Sequence, residues 1–482
     1  MIATGLDALE RQVVRDLRLI GYPNASWVPP RHLDGERIID VLIVGAGQGG
    51  LTVASQLLHE RVDNILVIDE AAEGDEGLWL RYARMPTLRT AKTVTGPDLG
   101  IPSLTFQAWF EAQQGEIAFE RLVKIAKEDW NSYLGWLRRM MAIPVQNNTR
   151  FEGVVPAADG LRVTLLENGV IRHVMARKLV LAGGIETSGR WWMPPEIAAL
   201  PSNVRAHTAD PIDFAALAGK RVVVIGAGAS AFDNAATALE HRAASVELLC
   251  RRPVIQRTQP FKIISTPGFL RHFGTLDDAT RWRMMRHLLT VREALTLETW
   301  NRATVHPNFS VRTGAPVLAA SSHNGVVHIT IPGETIEADF VICGTGLEID
   351  LMQRPELAEV APHVALWRDR FQPSAEERDD RLGFYPYLGP GLQFQERTPG
   401  AAPWIADIHC FNFGATMSMG PSGSSISAMK FAVPRLVHAM TNDLFRADFP
   451  AQETSIRAYD IPEFPLLFAR DQPKPDADTT RS

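Results

Sequence analysis

Cysteine is scarce in this 482-residue chain: Cys250, Cys343 and Cys410 stand far apart. That excludes a disulfide framework, and with no C-x-x-C pair it excludes a dithiol redox centre or a structural zinc site. Cys250 and Cys343 fall in apolar runs and read as small buried hydrophobes in a reducing compartment. A His-Glu-x-x-His motif or a His/carboxylate facial set is also missing, so no metal centre is expected. No uncharged apolar run approaches the ~18 residues that span a bilayer. Near the N-terminus, Leu6, Leu9, Val13, Leu17 and Ile20 recur at three and four residues between charges, which predicts an amphipathic helix rather than a signal-peptide core. A cytoplasmic protein without a membrane partner is the expectation. Excess basic charge is lacking too: 49 Lys and Arg against 55 Asp and Glu give a net charge of -6, which argues against nucleic acid as a partner.

What is present in quantity is ordinary globular composition, 45% hydrophobic and 22% charged, over a length that calls for two or three domains. Ile39–Leu58 and Arg221–Leu239 each read as apolar strand, glycine turn and helix, followed by a second strand at Ile65–Ile68 and Val246–Cys250. Leu104–Met141 between them reads as helical, with the period running through Glu120–Trp130 and Asn131–Met141. A β-meander is predicted over Phe151–Val155, Leu161–Leu166 and Ile171–Met175. A separate buried strand, Lys178–Leu181, then ends at the turn Ala182-Gly183-Gly184. Pro253–Pro316 reads as helices and loops, and Val326–Ile331 and Asp339–Cys343 as returning strands.

In the first unit, Gly45 allows a tight turn off the strand, Gly47 lets the backbone approach a pyrophosphate, and Gly50 lets the helix pack close. The helix N-terminus at Gln48 presents free N–H groups and the positive dipole end. About 25 residues after Gly45, Asp69 or Glu70 can accept both ribose hydroxyls, Glu70 being preferred. In the second unit, Gly226, Gly228, Ser230 and Ala231 form the turn. Its second strand ends in Arg251 and Arg252, where guanidinium groups suit a 2′-phosphate and a carboxylate would repel it. The first site thus fits FAD and the second NADPH.

These residues resemble the FAD- and NADPH-dependent flavin monooxygenases: flavin-containing, N-hydroxylating and Baeyer–Villiger enzymes. Gly77-Leu78-Trp79 is similar to their Gly-Gly-Thr-Trp element, and Ile342-Cys343-Gly344-Thr345-Gly346 to the late Ala-Thr-Gly element. The resemblance spans about residues 38–350 with its elements in the expected order. It implies an α/β fold of two Rossmann-like domains, an FAD domain with an inserted NADPH domain, plus helical insertions. The expected divisions are 1–200 for the first part of the FAD domain and 201–346 for the NADPH domain, with a helical insertion at about 253–316. Residues 347–470 are the returning part of the FAD domain, and 471–482 a disordered tail.

The resemblance further implies that Trp79, Arg84, Met85, Thr87, Leu88, Arg89 and Thr90 lie along the flavin. Phe151, Thr345 and Gly346 join them as cofactor contacts. Arg89 is a candidate for stabilising negative charge on the flavin. His409 and Asn412 are candidates for the cavity wall, beside a helix expected to start near Ser424. Thr90 stands where Baeyer–Villiger enzymes place an aspartate. The family fingerprint between the turns keeps only His207 of Pro201-Ser-Asn-Val-Arg-Ala-His207. The first departure points away from ketone oxidation, and the second away from both the Baeyer–Villiger and the classical flavin-containing subgroups. The implied reaction has NADPH reduce FAD, and O2 then transfers one atom through a C4a-(hydro)peroxyflavin to a small organic substrate. N-hydroxylation or hydroxylation of an electron-rich ring is preferred. The alternatives are Baeyer–Villiger oxidation of a ketone, or an NADPH-dependent flavin reductase or oxidase without oxygen transfer. A homodimer is left open.

Overall fold

A computed structural model describes residues 5–22, 25–421 and 425–464. Its larger sheet runs in the order Val145–Gln146, Ile65–Ile68, Ile39–Val44, Val170–Leu181, Gly160–Glu167 and Thr149–Ala157. Ile408–Cys410 pairs beside Val170–Leu181. Ile39–Val44 is parallel to Ile65–Ile68 and to Val170–Leu181, as the sequence predicts for a βαβ start, and the meander strands are antiparallel. The third meander strand and the buried strand prove to be one. Its first residues lie exposed in the meander and its last in the core. Arg177 reads as a break in the sequence, yet it stays inside this strand because it forms buried ion pairs with Asp40 and Asp448, each at 3.0 Å.

The second sheet is parallel throughout, in the order Arg205–His207, Phe340–Cys343, Arg221–Ile225, Ser245–Cys250 and Phe309–Thr313. Phe309–Thr313 corrects the expectation of helices and loops up to Pro316. It is short and half polar, so only its parallel neighbour marks it as a strand. One face of this sheet carries helix Ala229–Glu240, and the other is covered by the antiparallel strands Ala319–His323, Val326–Ile331 and Glu334–Ala338. The first and last of those three escape the sequence reading because their exposed sides are polar.

Helices Phe106–Gln114, Glu116–Arg121 and Lys127–Met140 replace the continuous period expected through Glu120–Trp130. The chain turns extended at Leu122, the Leu88 N–H donates to the Ile125 carbonyl, and Thr87 bridges to Ala126. That ties the segment after Trp79 to the helical layer.

The helical insertion divides in two. Leu297–Thr304 packs on Ala229–Glu240 through Trp300 and Ala303. Phe261–Ile264, Pro267–His272 and Asp278–Val291 instead share a separate core with Trp367, Tyr385 and Met417 of the returning segment. The closing helix, Ile426–Ala458, has Ser425 at its N-cap position and lies against Gln48–His59. Ser424 and the tail 471–482 lie outside the described residues. Among the described residues no helix is long and apolar enough to cross a membrane, and no group of His, Cys, Asp and Glu could hold a metal ion.

Candidate cofactor and substrate site

Gly45 leaves its strand with φ 103°, and a Cβ there would stand 2.8 Å from the Ala182 carbonyl oxygen. A Cβ on Gly50 would lie 1.8 Å from the Gly45 carbonyl oxygen, so helix and turn meet through the missing side chain. Gly47 begins helix Gln48–His59 with no side chain capping it, leaving first-turn N–H groups for an anion. A Cβ on Gly47 would meet only Gly77, 3.5 Å from its Cα, and Trp79 two residues on is buried in the first core. Gln48 accepts a hydrogen bond from the Trp130 indole at 3.2 Å. These features form a cradle that fits a dinucleotide pyrophosphate.

The two acids after Ile65–Ile68 have different surroundings. Asp69 is buried and accepts from the Ala46 N–H at 2.7 Å and the Ala71 N–H at 2.9 Å. Burial raises its pKa while those two bonds pull it down. Glu70 is exposed, 3.3 Å from Arg81, and borders an open depression of about 530 Å³ with Asn148 and Arg150. Its carboxylate is the one accessible to a ligand.

The second turn repeats the cradle. Gly226 has φ 120°, and a Cβ would lie 2.3 Å from the Gly344 carbonyl oxygen. Gly228 faces open space and begins helix Ala229–Glu240, again without a side-chain cap. Ala231 can stand in the third position because its partner is Gly344, where a Cβ would come within 2.6 Å of the Ala231 methyl. Ser230 is exposed. The strand-end arginines have separate tasks. Arg252 donates to the carbonyls of Thr290 at 2.7 Å and Val291 at 3.4 Å, whereas Arg251 is exposed and makes no hydrogen bond or ion pair among the described residues. Thr345 donates to the Trp192 carbonyl, and the Gly346 carbonyl accepts from the Trp192 N–H.

The segment Arg84–Thr90 forms a seam between the two nucleotide folds. Arg89 meets the buried Asp233 of helix Ala229–Glu240 at 2.6 Å, and Arg302 lies 3.6 Å from the other Asp233 oxygen. Thr87 donates to Glu298, which also pairs with Lys124 at 2.8 Å. Arg84 lies over the Phe214 ring, and its carbonyl accepts from Arg302. Met85 packs at the edge of the first core, Leu88 inside it, and Thr90 is half-buried. Phe151 is a core residue of the meander. Sequence pattern gives no role to Asp233, Arg302, Glu298 or Lys124. These pairs join residues 69 to 174 positions apart, which leaves no spacing to detect.

Three buried polar side chains support the framework. His207 accepts from the Ala209 N–H at Nδ1 and lies 4.9 Å from the Trp191 ring, and burial depresses its pKa to about 4. His409 is 0% exposed, its Nδ1 2.8 Å from the Gly391 carbonyl, and burial likewise brings its pKa to about 4. Asn412 accepts from Ser188 and the Gly414 N–H and donates to Thr187. Both sequence candidates thus turn toward protein, near the returning strand Ile408–Cys410. Cys250, Cys343 and Cys410 are buried and unpaired.

Residues 42–276 match the family model for pyridine nucleotide-disulphide oxidoreductases. The chain is 41% identical over 461 residues to the FAD-dependent urate hydroxylase of Xanthomonas campestris pv. campestris, covering 95% of this chain and 97% of that protein. Among solved structures it is similar to the ornithine N-hydroxylase of Kutzneria sp. 744, with 17% identity, a TM-score of 0.63 and coverage of 84% of this chain and 99% of that one. It is also similar to L-lysine 6-monooxygenase of Pseudomonas syringae, with 18% identity, a TM-score of 0.65 and the same coverage. These two likenesses concern the fold, which is the expected pair of nucleotide-binding units. Identity at the level of the Xanthomonas protein carries more, and the chain belongs to the FAD- and NADPH-dependent flavin monooxygenases, which hydroxylate small organic substrates.

Proposed function

We propose that this enzyme hydroxylates urate, or an oxopurine close to it, in the cytoplasm. The observation that carries this reading is the 41% identity to a urate hydroxylase over 95% of the chain. The sequence expectation of N-hydroxylation or hydroxylation of an electron-rich ring, rather than ketone oxidation, includes it. Three unpaired, buried thiols suit a reducing compartment. The balanced reaction is substrate plus O2, NADPH and a proton giving oxygenated substrate, water and NADP+.

Bound FAD supplies the redox chemistry, accepting hydride from NADPH and activating O2. The chain's own residues bind and align. The N-terminus of Gln48–His59 and the Gly47 backbone take the FAD pyrophosphate, with Asp69 holding the turn and Glu70 receiving the ribose hydroxyls. Gly228 and the start of Ala229–Glu240 take the NADPH pyrophosphate, and Arg251 takes the 2′-phosphate. Arg89 and Asp233 fix the angle between the two folds and so the approach of nicotinamide to flavin. This assigns Arg89 a positioning task through Asp233.

The test is urate-dependent turnover of the FAD-loaded enzyme. Urate loss, NADPH oxidation and O2 uptake in equal amounts support the reading. NADPH oxidation that yields peroxide in equal amount, with urate untouched, refutes it and favours the reductase or oxidase alternative.

A further inference from the structure

Helix Asp278–Val291 ends at Arg292, whose backbone has φ 64° and ψ 175°, a region otherwise left to glycine. Arg252 secures this helix end through the Thr290 and Val291 carbonyls. The Arg292 side chain makes no hydrogen bond or ion pair among the described residues. One guanidinium nitrogen lies 3.6 Å from where a Cβ on Gly346 would stand. Arg292 is exposed, and its charged surroundings are Arg252, Arg381 and Arg251, with the Tyr385 phenol. Arg381 is balanced by Asp379 at 2.7 Å, but no carboxylate answers Arg292.

Tyr385 is 7% exposed, and its hydroxyl has no hydrogen-bond partner among the described residues. Burial raises the phenol's pKa well beyond the usual range, and the charges of Arg292 and Arg381 pull it back. The ring is packed away, while the oxygen is not among the fully enclosed partnerless atoms and stays open to a ligand. The Tyr385 ring lies 6.4 Å from Phe413, whose N–H donates to the Gly184 carbonyl in the turn that ends Val170–Leu181. Gly346 follows the end of Phe340–Cys343. Arg292 is therefore beside the carboxyl end of the second sheet, and Tyr385 is linked through Phe413 to that of the first, and such strand ends are where open α/β sheets bind ligands. Both come from segments that match no cofactor motif: the insertion and the returning part.

We propose that Arg292 and Tyr385 are the substrate-recognition pair of this monooxygenase, gripping the anionic, carbonyl-bearing edge of a planar oxopurine. The guanidinium donates as a fork to adjacent oxygen and nitrogen acceptors, and the phenol donates one further hydrogen bond. The proposal rests on the urate reading for its ligand. NADPH phosphate is the rival anion, and the experiment separates the two.

Arg292→Gly is the informative variant, because glycine adopts the same backbone angles without strain. The oxidised, FAD-loaded wild type, Arg292→Gly and Tyr385→Phe are titrated separately with urate and with NADP+, following the flavin absorbance and the heat of binding. The expected result for Arg292→Gly is urate affinity lower by about tenfold or more, NADP+ affinity unchanged and a Tm no lower than wild type. Tyr385→Phe weakens urate by a smaller factor. Urate affinity unchanged in both variants overturns the pair while leaving the urate reading intact. Loss of NADP+ with urate retained in Arg292→Gly also overturns it and assigns Arg292 to the dinucleotide. A wild-type enzyme that binds no urate overturns the substrate reading and the pair's role with it.

Discussion

Replacing Asp233 by alanine tests whether the seam between the nucleotide folds sets the geometry of hydride transfer. The Asp233 side chain is 3% exposed and meets Arg89 at 2.6 Å and Arg302 at 3.6 Å. Removing one member of a buried pair costs about 3–5 kcal/mol when the other is left buried and uncompensated. The partners here are partly relieved. Arg302 keeps Glu240 at 2.6 Å, and the Arg89 side chain is 31% exposed and can recover water. The expected destabilisation is therefore smaller, about 2 kcal/mol. A cycle of Asp233→Ala, Arg89→Ala and the double variant should give a coupling of about 1–2 kcal/mol by denaturant unfolding of the holoenzyme. Because the pair joins the two folds, flavin reduction by NADPH should slow by at least about tenfold with FAD content unchanged. Additive single effects within about 0.5 kcal/mol, together with wild-type reduction rates, would show that the Arg89–Asp233 pair does not set the geometry.

Three other outcomes follow from the site. Gly50→Ala drives a Cβ into the Gly45 carbonyl oxygen and should yield protein purified without flavin, read from its absorbance spectrum. Arg251→Ala should raise KM for NADPH by about tenfold or more while leaving NADH unchanged, measured by steady-state flavin reduction. His207 and His409 have folded pKa values of about 4, below the ~6.5 of an unfolded histidine. The unfolded chain therefore binds the extra protons first as pH falls. Stability from these residues is full above pH ~6.5 and is lost progressively down to pH ~4, at up to about 1.4 kcal/mol per pH unit for each histidine. Replacing either with glutamine should flatten that part of the unfolding profile.

The parts legible in sequence are those that short spacing encodes. Gly45, Gly47 and Gly50 lie within one turn, and the acid or arginine that reads the ribose follows at a fixed interval. Each reports a local backbone requirement that only certain residues meet. Two observations then refine them in ways spacing could not. Asp69 is consumed by the turn, leaving Glu70 available, and Arg252 is consumed by a helix end, leaving Arg251 available. The insertion carries no such local code. Trp282 and Met285 look like any helical apolar face, and nothing local says that they pack with Trp367 and Met417 rather than with the second sheet. The Arg89–Asp233 pair is invisible for the same reason, since complementary charges 144 residues apart leave no periodic trace.

Rapid mixing shows whether this enzyme passes an oxygen atom from reduced flavin to urate. The FAD-loaded enzyme is reduced with NADPH without oxygen, then mixed with oxygenated buffer containing urate, while flavin absorbance and urate are followed together. Expected are full reduction by NADPH, a transient spectrum distinct from both reduced and oxidised flavin, and one urate consumed per flavin reoxidised. Direct return to the oxidised spectrum, with peroxide equal to the NADPH used and urate unchanged, would contradict that transfer.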